Sequence, residues 1–274
     1  MKKHFKSDDY DEKYFVLTER ATAFSDIGKM MSIQRYKLFY PFVKEKKAAA
    51  KKVRMLEIGC ANGFHLSLYR DMGIELDGVD ISEFGINEAR KTVDANFSVV
   101  DLDEEKLPFE DNSFDLIAAF TVLEHLHKPE ETVQEIQRIA KDGAYIYLIC
   151  PVIPLLFFHQ SGNYFVFNTA QKFLSLFGKS LLSDHTHISM FHKLDWFNMF
   201  TKHNFTIVKN FTAEGFIAPI FDCVSDKARK AFLTLFPNTA LSLNIILRKE
   251  KNKKLIIPKL EVITHYKKLN YKIN

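Results

Sequence analysis

Leu56-Glu57-Ile58-Gly59-Cys60-Ala61-Asn62-Gly63 closes a short, mostly apolar run that begins at Val53, and the residues that follow are amphipathic. An apolar strand that turns through small residues straight into a helix brings its backbone close to a bound ligand, because a side chain at Gly59 or Gly63 would fill that space. Such a turn suits a nucleotide-like cofactor. The two glycines are four apart with Ala61 between them, and Phe64 stands where the dinucleotide fingerprint Gly-x-Gly-x-x-Gly has its last glycine. This spacing argues against a nicotinamide-dependent oxidoreductase. Glu57, inside the strand, would repel a pyrophosphate and attract an ammonium group.

Three further segments follow at suitable intervals. Ile74 to Asp80 reads as a second strand whose terminal carboxylate, Asp80, can accept both hydroxyls of a ribose. Ser82 then caps a helix from Glu83 to Thr92. Phe97 to Asp101 reads as a third strand. Leu107-Pro108-Phe109 and then Phe114 to Phe120 lead into a fourth, followed at once by Thr121-Val122-Leu123-Glu124-His125-Leu126. Singly, Asp80, Asp101 and Asp115 are ordinary strand-end or turn carboxylates; in order and properly spaced they make a pattern.

That pattern resembles the class I S-adenosylmethionine-dependent methyltransferases, in the type 11 methyltransferase-domain family, whose first motif reads acidic-x-Gly-x-Gly-x-Gly. Glu57-x-Gly59-x-Ala61-x-Gly63 matches it with Ala61 as the one departure. The resemblance covers roughly residues 53 to 150 and continues more weakly to about 248. It implies S-adenosylmethionine as cofactor, held by Glu57, Gly59, Cys60, Ala61 and Gly63 in the first loop and by Asp80 and Ile81 after the second strand. It gives Asp101 the exocyclic amine of adenine and Leu102 the face of the ring, and places Phe120 and Thr121 at the end of the fourth strand.

The expected fold is α/β: a Rossmann-like, doubly wound, mostly parallel seven-stranded sheet with an antiparallel last strand, a helical N-terminal cap and an aromatic-rich insertion. The alternation of apolar runs and amphipathic stretches predicts strands at Val53–Ile58, Glu75–Asp80, Phe97–Asp101, Phe114–Phe120, Ala144–Cys150, Phe205–Phe211 and Leu241–Leu247. Helices are predicted at Phe64–Asp71, Glu83–Thr92, Pro129–Ala140, Lys193–Lys202 and around Ser225 to Leu235. Ligands of such a sheet lie outside the carboxyl ends of its strands.

Residues 1–50 form the cap, expected over the cofactor mouth, with helical spacing from Ile27 to Phe39 until Pro41 interrupts it. Residues 51–150 form the cofactor-binding core. Residues 151–190 crowd Phe157, Phe158, Tyr164, Phe165, Phe167, Phe173 and Phe177 into a substrate-side insertion, which reads as a lid or as a helical hairpin packed on the core. Residues 191–250 complete the sheet, and 251–274 are a basic tail that docks, contacts a partner or frays.

Composition agrees with a soluble enzyme. In 274 residues, 47% hydrophobic positions can bury a large core. Cys60, Cys150 and Cys223 offer no disulfide framework or paired metal motif, which with the polar first ten residues points to the cytoplasm. The apolar run Ala144 to Phe158 contains Pro151 and Pro154 and is shorter than the roughly 20 residues of a membrane span. The net charge is only +4, clustered at Lys44, Lys46, Lys47, Lys51, Lys52 and Arg54 and again at Arg248, Lys249, Lys251, Lys253 and Lys254. These clusters read as solvated faces or as a peripheral contact with an acidic membrane or anionic substrate. Nucleic acid is not expected as a partner, because neither cluster belongs to a recognised module.

Histidines bear on the chemistry. His185 and His187, in Asp184-His185-Thr186-His187, read as loop-fixing residues, as substrate contacts or a general base, or as metal ligands. No third ligand is indicated, so no metal site is assigned. Glu124-His125 raises the same question. Some quinone-ring O-methyltransferases resembling this chain carry Glu-x-x-Glu-His and need a divalent cation, but the first position here is Thr121. His125 is the first candidate near the transferred methyl. The histidines favour an O-methyltransferase acting on a small molecule, a glycan, or a lipid-linked or aromatic intermediate. The alternative is a non-catalytic protein that binds the cofactor as a structural or regulatory ligand.

Overall fold

The computed structural model describes residues 6–12, 14–15, 26–152, 189, 191, 193–212, 242–250, 258 and 261–262. The described helices and strands are numbered in chain order: α1 (Asp26–Ala49), β1 (Arg54–Ile58), α2 (Phe64–Ser67), β2 (Glu75–Asp80), α3 (Glu83–Thr92), β3 (Asn96–Val99), β4 (Phe114–Phe120), α4 (Pro129–Ile139), β5 (Ala140–Pro151), α5 (Lys193–Lys202), β6 (Phe205–Thr212), β7 (Ser242–Lys249) and β8 (Glu261–Val262). The helix expected around Ser225 to Leu235 and the aromatic insertion from residue 153 onward lie outside the described residues.

The strands form one sheet in the order β3-β2-β1-β4-β5-β7-β6-β8. β1 to β5 pair in parallel, and β7 runs antiparallel between β5 and β6, with Tyr147 opposite Ile246 and Asn210 opposite Ile245. This is the doubly wound sheet with its reversed last strand. An eighth, two-residue strand is added to it, because Glu261 and Val262 of the tail pair in parallel with Phe211 and Thr212.

The alternation of side chains along β5 divides the core. Ile146, Leu148 and Cys150 face α4 and α5 in a layer that includes Val133, Ile136, Trp196, Phe197 and Phe200. Tyr145, Tyr147 and Ile149 face the opposite layer, with Phe39, Phe42 and Val43 of α1, Leu66 of α2 and Ile86 of α3. Period-two alternation in the strands therefore meets a helical layer on either face.

α1 corrects one expectation, since it passes through Pro41 and ends at Ala49. A proline inside a helix costs about 3 kcal/mol through the lost N–H and ring crowding. Phe39, Phe42 and Val43 flank it, all at most 8% exposed, and each large apolar side chain gains about 1.5–3 kcal/mol on burial. Packing on Tyr145 and Tyr147 thus outweighs the local penalty, and Pro41 itself faces solvent. At the amino edge of the sheet, Arg54 grips Asp77 through two 2.7 Å hydrogen bonds, fixing β1 beside β2.

Candidate active site

The carboxyl ends of β1, β2, β3 and β4 bring most of the singled-out residues to one edge. β1 leaves the sheet at Gly59, where the amides of Gly59 and Cys60 both donate to the Val79 carbonyl, at 2.8 and 3.1 Å. Gly59 and Gly63 have φ of +72° and +68°, in the left-handed region that glycine adopts without strain. Their missing side chains serve packing within the protein. A Cβ on Gly59 would overlap Cγ2 of Val122, and one on Gly63 would lie 3.1 Å from Cβ of Ala89 and 3.3 Å from Val93. The expectation that these positions clear space for a ligand is thereby corrected: the loop after β4 and helix α3 fill it.

Ala61, where the motif has its middle glycine, also takes a left-handed conformation, φ +45°. Its amide donates to Oδ2 of Asp80 at 2.8 Å, while Oδ1 of Asp80 accepts the amide of Ser82 at the same distance. Asp80 thus joins the first loop to the start of α3, with Ile81 between. Burial raises the Asp80 carboxyl above the usual aspartate range, and the Ser82 and Ala61 amides oppose the shift. Two amides leave part of a carboxylate's acceptor capacity for hydroxyls. The Cys60 thiol is buried and held well above its usual range, so it is an inert neighbour.

Asp101 follows β3 and folds back locally, its Oδ1 accepting the Asp103 amide at 3.0 Å, and Leu102 packs on the core. Asp103 in turn clamps His127, taking its amide at 2.8 Å and its Nδ1 at 2.9 Å. The loop after β3 is therefore tied to the loop after β4. Phe120 is turned inward, 7% exposed, its ring edge-on to His65 and Tyr147. Thr121 is exposed at φ +55° and donates its hydroxyl to the Phe120 carbonyl.

His125 ends a 3₁₀ turn, Leu123–His125, directly after the carboxyl end of β4, while Glu124 in the same turn is fully buried. His185 and His187 lie outside the described residues. Ser189, two positions beyond His187, donates its amide to the Glu124 carbonyl at 2.9 Å and its hydroxyl to the Leu126 carbonyl at 2.6 Å. Among the described residues, no group of three or more His, Cys, Asp or Glu side chains could hold a metal ion.

Glu57 is 4% exposed, and its Oε2 has no hydrogen-bond partner among the described residues. A buried, unmatched carboxylate oxygen is costly and marks where a cation fits. Its other oxygen, Oε1, lies 3.3 Å from Nδ1 of His65. His65 and its partner Tyr69 are absent from the residues singled out in the sequence. Tyr69 lies in the turn just beyond α2, so no helical periodicity announces that the two side chains meet.

Residues 56–148 match a family model described as a methyltransferase domain. That stretch is similar to methyltransferase domains and lies in the doubly wound sheet described above. Similar sequences include a sterol 4-C-methyltransferase, strm-1, of Caenorhabditis elegans, 32% identical over 106 residues, 37% of this chain and 32% of that protein. A ubiquinone biosynthesis O-methyltransferase of Hahella chejuensis is 29% identical over 110 residues, 38% of this chain and 44% of the relative. The chain therefore spans a third to a half of the length of these two relatives. Among solved structures, a SAM-dependent methyltransferase from Archaeoglobus fulgidus shares the fold with a TM-score of 0.54 at 20% identity, covering 81% of this chain and 94% of that one.

Proposed function

We propose that the protein is an S-adenosylmethionine-dependent methyltransferase that O-methylates a small molecule, a glycan, or a lipid-linked or aromatic intermediate. The observation that carries this reading is the orphaned Oε2 of Glu57 beside a loop whose Ala61 amide is held by Asp80. These carboxylate acceptors fit the cofactor's ammonium and ribose hydroxyls. When bound, the cofactor supplies an electrophilic methyl on a sulfonium.

Glu57 binds the ammonium, Asp80 the ribose hydroxyls, and Asp101 with Leu102 the adenine. Gly59, Cys60, Ala61, Gly63 and Ile81 shape the backbone around them, and Phe120 and Thr121 close the side toward β4. Fixing the two reactants in line supplies much of the acceleration, because a displacement depends on alignment. His125 is the first candidate to accept a hydroxyl proton from the acceptor, with His185 and His187 as further candidates. The Ser189 contacts with Glu124 and Leu126 support this grouping. The relatives' names span sterol 4-C-, ubiquinone-biosynthesis O- and norajmaline N-methylation, which supports a small-molecule acceptor.

No helix among the described residues is long and apolar enough to cross a membrane. A cytoplasmic enzyme that touches an acidic surface through its basic clusters is part of the reading. Lys46 and Arg248, one from each cluster, both lie over the Tyr145 ring, at 5.3 and 5.6 Å.

Calorimetry with S-adenosylmethionine and S-adenosylhomocysteine tests the proposal. Wild type should bind both, and Asp80→Ala should bind neither. No saturable binding by wild type would overturn the reading, and binding without turnover on a broad acceptor panel would favour a non-catalytic role.

A further inference from the structure

Behind Glu57 lies a buried chain of polar groups that the cofactor reading does not use. Nδ1 of His65 is 3.3 Å from Oε1 of Glu57, with the two side chains 4% and 5% exposed. Nε2 of the same ring is 3.2 Å from the hydroxyl of Tyr69, four residues on, in the turn after α2. The imidazole is held edge-on between Phe120 and Tyr69, with centroids 4.8 and 5.1 Å away.

A neutral imidazole carries one proton, and the partner of one nitrogen decides which nitrogen has it. A proton on Nε2 would leave the Nδ1 lone pair facing a carboxylate oxygen, which is repulsive. If the Tyr69 hydroxyl donates to Nε2, the proton sits on Nδ1, on the side of the ring nearer Glu57. Burial keeps the Tyr69 phenol well above its usual pKa, so it remains a donor. The Glu57 contact is at ion-pair distance but outside hydrogen-bond geometry. It acts by charge–dipole attraction, which is stronger in a buried, low-dielectric setting than in water.

We propose that His65 is a positioning residue: backed by Tyr69, it restrains Oε1 of Glu57 so that Oε2 is presented to the ammonium of the bound cofactor. The inference rests on the proposed cofactor reading. The terminal torsion of a glutamate is broad and nearly two-fold. A neighbour that fixes one oxygen thus removes rotational freedom that ligand binding would otherwise have to remove.

The test is calorimetry with two ligands, S-adenosylhomocysteine and its desamino analogue, which keeps the carboxylate and lacks the ammonium. His65→Phe should weaken S-adenosylhomocysteine about tenfold and leave the analogue unchanged. In a Glu57→Gln background the same change should add nothing, because the carboxylate it acts through is gone. His65→Asn, whose amide can offer an N–H in place of Nδ1–H, should restore most of the affinity. Tyr69→Phe removes only the hydroxyl and should shift the ratio of the two affinities in the same direction. It carries the test if His65→Phe does not fold. Equal weakening of both ligands, or an undiminished loss in the Glu57→Gln background, would show that His65 only packs and would overturn the inference. Wild type binding neither ligand would overturn the cofactor reading itself.

Discussion

Oδ2 of Asp80 takes the amide of Ala61 at 2.8 Å, and Oδ1 of the same side chain takes the amide of Ser82. One carboxylate therefore satisfies a donor in the first loop and another at the start of α3. Asp80→Ala should lower stability by about 2–6 kcal/mol, since each orphaned amide costs about 1–3 kcal/mol, and should abolish cofactor binding. Asp80→Asn keeps one acceptor oxygen, so its stability should fall between the two while cofactor binding stays impaired. Thermal unfolding followed at Trp196, the chain's one tryptophan and fully buried, reads the first effect. Calorimetry reads the second.

The raised pKa of Asp80 has two consequences of opposite sign. In the proposed reading its ionised form accepts the ribose hydroxyls, so cofactor affinity should begin to fall while the pH is still above the ordinary aspartate value of 3.8. Because the folded pKa lies above the unfolded one, the group's contribution to stability is fully present below the unfolded value. It is lost as pH rises through the raised folded value. Affinity and unfolding profiles of wild type and Asp80→Asn should differ in both respects across this acid window. Superimposable profiles would refute the assignment.

Gly59→Ala combines a left-handed φ with an overlap on Cγ2 of Val122. The conformation alone costs about 1–2 kcal/mol, and the overlap forces the loop after β4 to move. A total loss above about 2 kcal/mol is expected. Val122→Ala in the same chain should recover the steric part and leave the conformational part, a partition that a double-mutant cycle measures.

Ala61 is the opposite case, a side chain where the backbone favours glycine. Ala61→Gly should relieve the left-handed strain, offset in part by the greater freedom of an unfolded glycine. The net gain should be up to about 1 kcal/mol, seen as a higher melting temperature with the cofactor site intact.

Arg138 fastens the loop before β4 to α4. It donates to the carbonyls of Phe109 and Leu107 at 2.7 and 3.0 Å, to Asp111 at 2.9 Å, and to both oxygens of Glu135. Arg138→Ala should destabilise by about 2 kcal/mol. Those hydrogen bonds hold the Glu135 carboxyl below its usual 4.5, so its stabilisation is present above that value and lost as pH falls through the depressed one. Glu135→Gln should remove that share of the acid sensitivity.

The strands and turns of the half of the sheet that carries the candidate site were legible because their signals are local and repeated. A strand ending in Glu57-x-Gly59, a strand ending in Asp80 and a capping Ser82 each carry their own chemistry within a few residues. What escaped depends on distant partners. Pro41 reads as a helix breaker until Phe39, Phe42 and Val43 are seen packing on β5. Gly63 reads as room for a ligand until Ala89 is found in that space. His65 reads as an ordinary member of a short helix until Glu57 and Tyr69 appear on either side of it. Two residues of the tail supply an eighth strand that no pattern of two residues can announce.

Val152 pairs with Phe191, and Ser189 is bonded to the turn that holds His125. The chain thus leaves the sheet and returns to it through adjacent doors, so whatever lies between is spliced in at a closed gap. In general, doubling the length of a flexible connection between two fixed ends costs only about 0.6 kcal/mol in closure entropy. A segment joined at this point can therefore be lengthened, shortened or replaced outright, while Glu57 and Asp80 stay on their strands and Asp101 in the turn after β3, away from the splice.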